Sequence, residues 1–207
     1  LHSPLVQTKT AQTFDLLEPL ELLCRQMSIQ AFANAGVPGL LFLNVNPLLL
    51  LTSDHPSGLT KSYIQQAGLA PERIVIELSE QFQVEDTELF VSAVKHYREF
   101  GFKIAIETNG TIRVPAGIDW ICVSPKHGSD LVQVQGDELK LVIPQAGHAG
   151  QLPQLLARFE KMSFKHHFLQ ALDGPDKEAN TELAIKICQS RPLWRLSTQT
   201  HKLLGIR

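Results

Sequence analysis

Residues 99–110, Glu-Phe-Gly-Phe-Lys-Ile-Ala-Ile-Glu-Thr-Asn-Gly, constrain the fold more than any other stretch of the chain. They read as the end of a helix, a tight turn at Gly101, and a buried strand from Lys103 to Ile106. Polar residues Glu107, Thr108 and Asn109 follow at the carboxyl end of that strand. Two earlier stretches are built alike. Leu40–Val45 and Arg73–Leu78 are short apolar runs, each closed by polar residues. A continuous apolar run of this length predicts a strand buried on both faces, as in a parallel sheet. Helical patterns separate the runs. Phe14–Ala35 carries Leu16, Leu17, Leu20, Leu23, Cys24, Met27 and Ala31 at helical spacing, with Asp15 as N-cap and Gly36 and Pro38 as the stop. Ser57–Ala67 and Asp86–Phe100 follow, the latter with Leu89, Phe90, Ala93, Val94 and Tyr97 on one face.

Further along, Trp120–Val123, Glu138–Ile143, His167–Gln170 and Trp194–Ser197 read as strands, and Leu152–Lys161 and Glu178–Ser190 as helices. Strands that alternate with helices imply right-handed parallel crossovers. The expected class is therefore α/β: a partial TIM-like barrel of about seven mostly parallel strands with helical crossovers, in a single barrel-like domain spanning residues 1–207. No internal repeat or low-complexity segment divides it.

Composition removes several function classes. A chain of 207 residues with 43% hydrophobic and 19% charged content is globular rather than disordered. A net charge of −2 gives no footprint for nucleic acid or an anionic membrane. The longest apolar stretch, Leu40–Leu51, is interrupted by Asn44, Asn46 and Pro47 and is too short to span a bilayer. The first residues are polar, without a signal-peptide core. The missing initiator Met reads as an excised or truncated start. Cys24, Cys122 and Cys188 are isolated and form no CxxC pair, so they read as buried free thiols of a cytoplasmic protein.

The residues that could carry chemistry gather at strand ends, where parallel α/β sheets bind ligands. Asn44, Glu77 and Glu107 each end or nearly end a different strand. If the sheet closes, their oxygens converge at one mouth as ligands for a weak Mg²⁺ or Ca²⁺ site, the chemistry that activates water for phosphodiester cleavage. Polar residues solvated at the rim are the competing reading of the same pattern.

Three segments resemble EAL domains, the TIM-barrel phosphodiesterases of cyclic di-GMP: Leu41-Phe-Leu-Asn-Val-Asn-Pro47, Gly68-Leu-Ala-Pro-Glu-Arg-Ile-Val-Ile-Glu-Leu-Ser-Glu80 and Tyr97-Arg-Glu-Phe-Gly-Phe-Lys-Ile-Ala-Ile106. The resemblance covers about residues 14–106 and implies that Asn44 and Glu77 bind metal. It is incomplete. The family's Glu-Ala-Leu strand is absent before Phe14. Glu107-Thr108-Asn109-Gly110 stands where the family has Asp-Asp-Phe-Gly, and Cys122 lies near the place of its metal-site Lys.

From Phe102 onward the chain resembles the C-terminal half of 7-carboxy-7-deazaguanine synthase, a radical S-adenosylmethionine enzyme of queuosine biosynthesis. The residues that carry this are Ile104–Thr111, Ile118–Lys126, Gly136–Val142, Phe168–Gln170, Asp173–Pro175 and the closing run Trp194–Arg207 with its Gln-Thr-His-Lys. The resemblance implies that Glu107, Thr108, Asn109, Ser124 and Lys126 face S-adenosylmethionine, and that Gln170, Gln199, Thr200 and His201 lie towards the substrate. The family's cysteine loop and Gly-Gly-Glu-Pro turn have no counterpart here, so no Fe–S cluster is expected.

The expectation is thus a hybrid barrel, EAL-like over residues 1–106 and deazaguanine-synthase-like over 107–207. It would lack either parent's full catalytic set while keeping residual binding of S-adenosylmethionine or a deazapurine. A radical S-adenosylmethionine enzyme of the deazaguanine-synthase type is one alternative. An EAL-type phosphodiesterase or degenerate cyclic di-GMP binder is the other. The expected partner is a small purine or nucleotide, with neither nucleic acid nor membrane, and the oligomeric state is open.

Overall fold

A computed structural model describes residue 11 and residues 16–46, 58–79, 87–145 and 150–200. Helix α1 (Leu17–Ala35) leads into strand β1 (Leu41–Val45), then α2 (Leu59–Gln66), a 3-10 turn at Pro71–Arg73 and β2 (Ile74–Ser79). Next come α3 (Thr87–Glu99), β3 (Lys103–Thr108), β4 (Trp120–Val123), β5 (Gln135–Ile143), α4 (Leu152–Phe159), β6 (Ser163–Ala171), α5 (Lys177–Ser190) and β7 (Trp194–Ser197). The strands form one seven-stranded parallel sheet in the order β1-β2-β3-β4-β5-β6-β7. Helices make the crossovers β1→β2, β2→β3, β5→β6 and β6→β7, while β3→β4 and β4→β5 are loops. The α/β sheet with helical crossovers expected from the sequence is the one observed.

Contacts divide the chain into two compact units, with the boundary after Ala105, inside β3. The first takes residues up to Ala105 with Gly117–Asp119; the second takes Ile106–Ala116 and the chain from Trp120 to Leu204. In the first unit, β1 pairs with β2 in the register Leu43↔Ile76 and Asn44↔Glu77. Leu43, Val45, Ile74, Ile76, Leu78 and Ile104 bury one sheet face against Ile29, Ile64, Val94 and Tyr97 of the helices. The turn into β3 needs Gly101: its φ is +85, and its N–H donates to the Arg98 carbonyl at 2.9 Å. Arg98 also reaches Asp119 at 2.8 Å, whose Oδ2 accepts from the Ile104 N–H at 2.8 Å and so fixes the start of β3.

In the second unit, β5 pairs with β6 over Gln135↔Ser163 to Ile143↔Ala171, and β6 with β7 over His167↔Trp194 to Gln170↔Ser197. Val123, Leu139, Leu141, Ile143 and Leu169 pack against Leu156, Phe159 and Ala184, with Trp194 in the same cluster.

Several expectations need correcting. Strand β1 is not buried on both faces: Leu43 and Val45 are buried, but Phe42 and Asn44 between them are exposed, because only alternate residues face the helices. Strands β5 and β6 start earlier than expected, at Gln135 and Ser163, since polar Asp137 and Lys165 pair with each other there at 2.6 Å instead of ending the strands. Cys24 is exposed rather than buried; Cys122 is buried and Cys188 half-buried. Helix α1 begins at Leu17 without a side-chain cap, and the N-cap candidate Asp15 lies outside the described residues. Phe14, Pro47, Ser57, Glu80, Asp86, His201 and Lys202 lie outside them too.

Candidate functional site

In the second unit the parallel strands end in a cluster of polar side chains. Glu107, next to last in β3, forms an ion pair with Lys140 of β5 at 2.6 Å. Burial alone would lower the Lys140 amine, but the hydrogen bond and charge of Glu107 outweigh it and hold the ammonium above its ordinary range. Cys122 lies beside this pair on β4. Burial pushes its thiol up, with Glu107 and Glu138 adding to the rise against Lys140, so it stays protonated at neutral pH.

The residues assigned to the cofactor separate into two kinds. Thr108 and Ser124 are buried and serve the chain itself: the Ser124 N–H donates to the Thr108 carbonyl at 2.7 Å, and Thr108 Oγ1 accepts from the Gly110 N–H at 3.0 Å. Asn109 Oδ1 accepts from both the N–H and the hydroxyl of Thr111, at 2.8 and 2.7 Å, a turn-forming role. Glu107 is half-buried and Lys126 exposed, which leaves both able to meet a ligand.

Of the residues assigned to the substrate, Gln170 and Gln199 come together. With Ser197, Asp173 and Lys177 they line a hollow of about 70 Å³ at the carboxyl ends of β6 and β7. Thr200 is exposed, its Oγ1 3.4 Å from that of Thr198. His201 lies outside the described residues.

The proposed metal set is divided. Asn44 and Glu77 stand opposite each other on β1 and β2 of the first unit. Glu107 belongs to the second, where Lys140 already neutralises it, so a divalent cation on that carboxylate competes with an ammonium 2.6 Å away. Among the described residues no group of three or more His, Cys, Asp or Glu is placed to hold a metal ion. The donor set therefore does not fit a resident cation well, and no chemistry is derived through one.

Sequence reasoning missed a row of side chains on the sheet face opposite the second unit's core. In β5, Glu138, Lys140 and Val142 are half-buried while Leu139, Leu141 and Ile143 are buried. In β6 the alternation puts His166, Phe168 and Gln170 on that same face. Trp120 donates to Glu138 Oε1 at 3.1 Å and stacks on His166 with ring centroids 5.9 Å apart. The signal was present: charged and apolar residues alternate over Glu138–Leu141 with the period of a strand that has two unlike faces.

Comparison with known proteins agrees with the two resemblances. No protein-family profile matches the chain. The chain is 56% identical over 106 residues to the 7-carboxy-7-deazaguanine synthase of Caulobacter vibrioides, covering 51% of this chain and 48% of that one. It is 55% identical over 107 residues to that of Bradyrhizobium diazoefficiens, covering 52% and 48%. The chain spans about half the length of the curated relatives it matches. Among solved structures it is similar to the PaMucR phosphodiesterase in its c-di-GMP complex, with a TM-score of 0.53 and 11% identity over 86% of this chain and 76% of that one. It is also similar to the FimX EAL domain of Pseudomonas aeruginosa bound to c-di-GMP, with a TM-score of 0.51 and 15% identity over 87% and 71%. At such identities the likeness is one of fold. Half of this chain is thus similar in sequence to 7-carboxy-7-deazaguanine synthases, while its fold is similar to that of EAL domains.

Proposed function

We propose that the chain is a hybrid α/β-barrel protein that binds a small purine-like ligand, S-adenosylmethionine or a deazapurine, at the carboxyl ends of the second unit's strands, without the turnover of either related family. The observation that supports it most is the identity of 56% over 106 residues to a 7-carboxy-7-deazaguanine synthase, the same length as the stretch Phe102–Arg207 in which the resemblance was read. Glu107 and Lys126 supply charged contacts, and the hollow beside Gln170 and Gln199 supplies neutral donors and acceptors. A heterocycle needs stacking surface and a few fixed polar groups.

Catalysis is a different demand. Radical chemistry on S-adenosylmethionine requires thiolates that hold an Fe–S cluster, and the three cysteines sit on three separate elements, α1, β4 and α5. Cyclic di-GMP hydrolysis requires converging metal ligands, and Glu107 is committed to Lys140.

The test is a titration with S-adenosylmethionine and, separately, 7-carboxy-7-deazaguanine, followed by backbone amide shifts. Saturable shifts at Glu107, Ser124 and Gln199 with Kd on the order of 0.1–1 mM are expected, about 4–5.5 kcal/mol of binding free energy. Spectra unchanged at millimolar concentrations of both ligands would sink the reading.

A further inference from the structure

Helix α1 turns its apolar repeat away from the core. Its buried positions are Arg25 and Ile29, and Ile29 packs in the first unit's cluster. Leu16, Leu20, Leu23, Cys24, Met27 and Ala31 fall on the opposite side, within an arc of about 100° at 3.6 residues per turn. Leu16, Leu23 and Met27 are 54%, 53% and 63% exposed. Cys24 and Ala31 are exposed too, and Leu20 is half-buried. A contiguous apolar stripe of this kind marks a protein–protein contact, whereas a solvated helix face carries charges.

Spacing, charge and area say what meets it. The six positions are separated by 4, 3, 1, 3 and 4 residues, a palindrome, so a two-fold axis between Leu23 and Cys24 maps the stripe onto itself. In an antiparallel pair of copies Leu16 is then level with Ala31, Leu20 with Met27, and Leu23 with Cys24. The charges of α1 are Glu18 and Glu21 near its start and Arg25, which is buried. A parallel pair would set both carboxylates against their own copies, a like-charge clash. An antiparallel pair sets them level with the uncharged Ile29 and Gln26 positions. At 1.5 Å per residue the stripe is about 22 Å long and offers on the order of 300 Å² per copy. That is under half of the roughly 800 Å² per partner of a stable complex, so the contact is weak and reversible.

We propose that the chain forms a weak dimer through α1, two copies packing these helices antiparallel about a two-fold axis between Leu23 and Cys24. The stripe's occupant is thus a second copy of this chain. Helix axes in such a pair stand roughly 8–10 Å apart, which brings the two Cys24 thiols within reach of a short bis-maleimide. The stripe belongs to the first unit and the ligand groups to the second, so the inference stands or falls apart from the ligand-binding reading.

The experiment is sedimentation velocity on the full chain over a wide concentration range, without ligand and with thiols kept reduced. The apparent mass should rise from 23.0 kDa towards twice that value, with a Kd on the order of 10–100 µM. L23K sets two ammonium groups across the axis and should weaken association at least tenfold; M27K should weaken it less. Both replaced side chains are exposed, so amide spectral dispersion should stay that of the parent, which checks folding directly. I112K, at a position 66% exposed in the second unit, should leave association unchanged. The bis-maleimide should join two unaltered chains, and C24A should lose the cross-link while keeping the dimer. In a C24A chain, L16C should be joined to A31C of a second copy and not to L16C. A chain that stays monomeric throughout, or association that L23K leaves intact, overturns the proposal. L16C joined to L16C would show a parallel pair and overturn it equally.

Discussion

Each compact unit buries a basic side chain that lacks a full set of partners among the described residues, and the two are of opposite kind. In the first unit it is Arg25, 4% exposed, whose Nη1 donates to Thr60 Oγ1 at 2.7 Å while Nε and Nη2 find no partner. In the second it is His167, 2% exposed, packed edge-on to Trp194 with centroids 5.2 Å apart, its Nδ1 without a partner. An arginine stays charged at every accessible pH, so its incomplete satisfaction weakens the first core constantly. A histidine sheds its charge, so the second core is weakened only where the ring is forced to accept a proton. One core carries a fixed cost and the other a conditional one. The sheet faces opposite the cores differ as well. In β1 that face offers the exposed Phe42 and Asn44, whereas in β5 it offers a charge-paired and aromatic-flanked row.

The largest effect should come from striking one core at a time. Trp194→Ala removes a buried indole and its 2.9 Å hydrogen bond to Glu160, and should cost about 3–5 kcal/mol in urea unfolding. Ile76→Ala is its counterpart in the first unit and should cost about 2–5 kcal/mol. Hydrogen exchange resolved by residue gives the comparison its edge. Trp194→Ala should accelerate exchange at Leu139 and Leu169 more than at Ile76 and Ile104, and Ile76→Ala the reverse. Equal acceleration in both sets would mean that the two units open as one.

Next in size is Gly110→Ala, in the loop that follows β3. Gly110 has a φ of +81, and an added Cβ would stand 2.5 Å from Leu131 Cδ1 and 2.8 Å from Val123 Cγ1. Left-handed strain and the clash together should lower stability by about 2–3 kcal/mol, with the change confined to second-unit amides.

The buried arginine predicts a change in the other direction. Arg25→Met keeps much of the volume and removes the unmatched donors, so stability should be unchanged or raised by about 1 kcal/mol. Arg25→Ala leaves a void and should be destabilising. A loss greater than about 1 kcal/mol in Arg25→Met would show that the guanidinium holds the first core together rather than weakening it.

The smallest effect is the pH profile, and its acid limb should separate the units. Burial holds the His167 ring below the ordinary histidine range, against the pull of the Phe159 carbonyl and Glu160. The unfolded chain then takes up a proton near pH 6.5 that the folded chain refuses. Stability is full above that pH and declines as pH falls from it towards the folded value, by at most about 1.4 kcal/mol per pH unit for one proton. Further down, Glu160 adds to the decline. Burial would raise its carboxyl, but hydrogen bonds from Arg191 and Trp194 outweigh this and hold it below the ordinary range, so its contribution is lost as pH falls through the folded value. At the other limb Tyr97 answers for the first unit. Burial raises its phenol despite the nearby Arg25, so stability present below pH ~10 is lost as pH rises. Acid should therefore open second-unit amides first, whereas alkali should weaken both units, the second through the buried Cys122 thiol and the first through Tyr97. His167→Phe should flatten the slope between pH 7 and 5.5 and leave the alkaline limb untouched; an unchanged acid slope would remove His167 from the account.

The sequence alone determined the order and type of the elements. Short apolar runs bounded by glycine and polar residues specify strands, and patterns of period 3.6 specify helices, whatever lies beside them. It also marked Glu107 and Gln170 as strand-end residues and Gly101 as a turn that no other residue fills well. These are local properties, set within a few residues. Only the tertiary structure decided which polar groups meet. Glu107 and Lys140 lie 33 positions apart and pair because β3 and β5 bring them to one level of the sheet. Phe168 and Arg195 share a row because parallel register fixes them so. Burial was undecided for the same reason. The run Leu41–Val45 is almost uniformly apolar, so its composition could not show that Phe42 faces away from the core. Whether a face is covered depends on which other elements pack on it, and that information is spread over the whole chain.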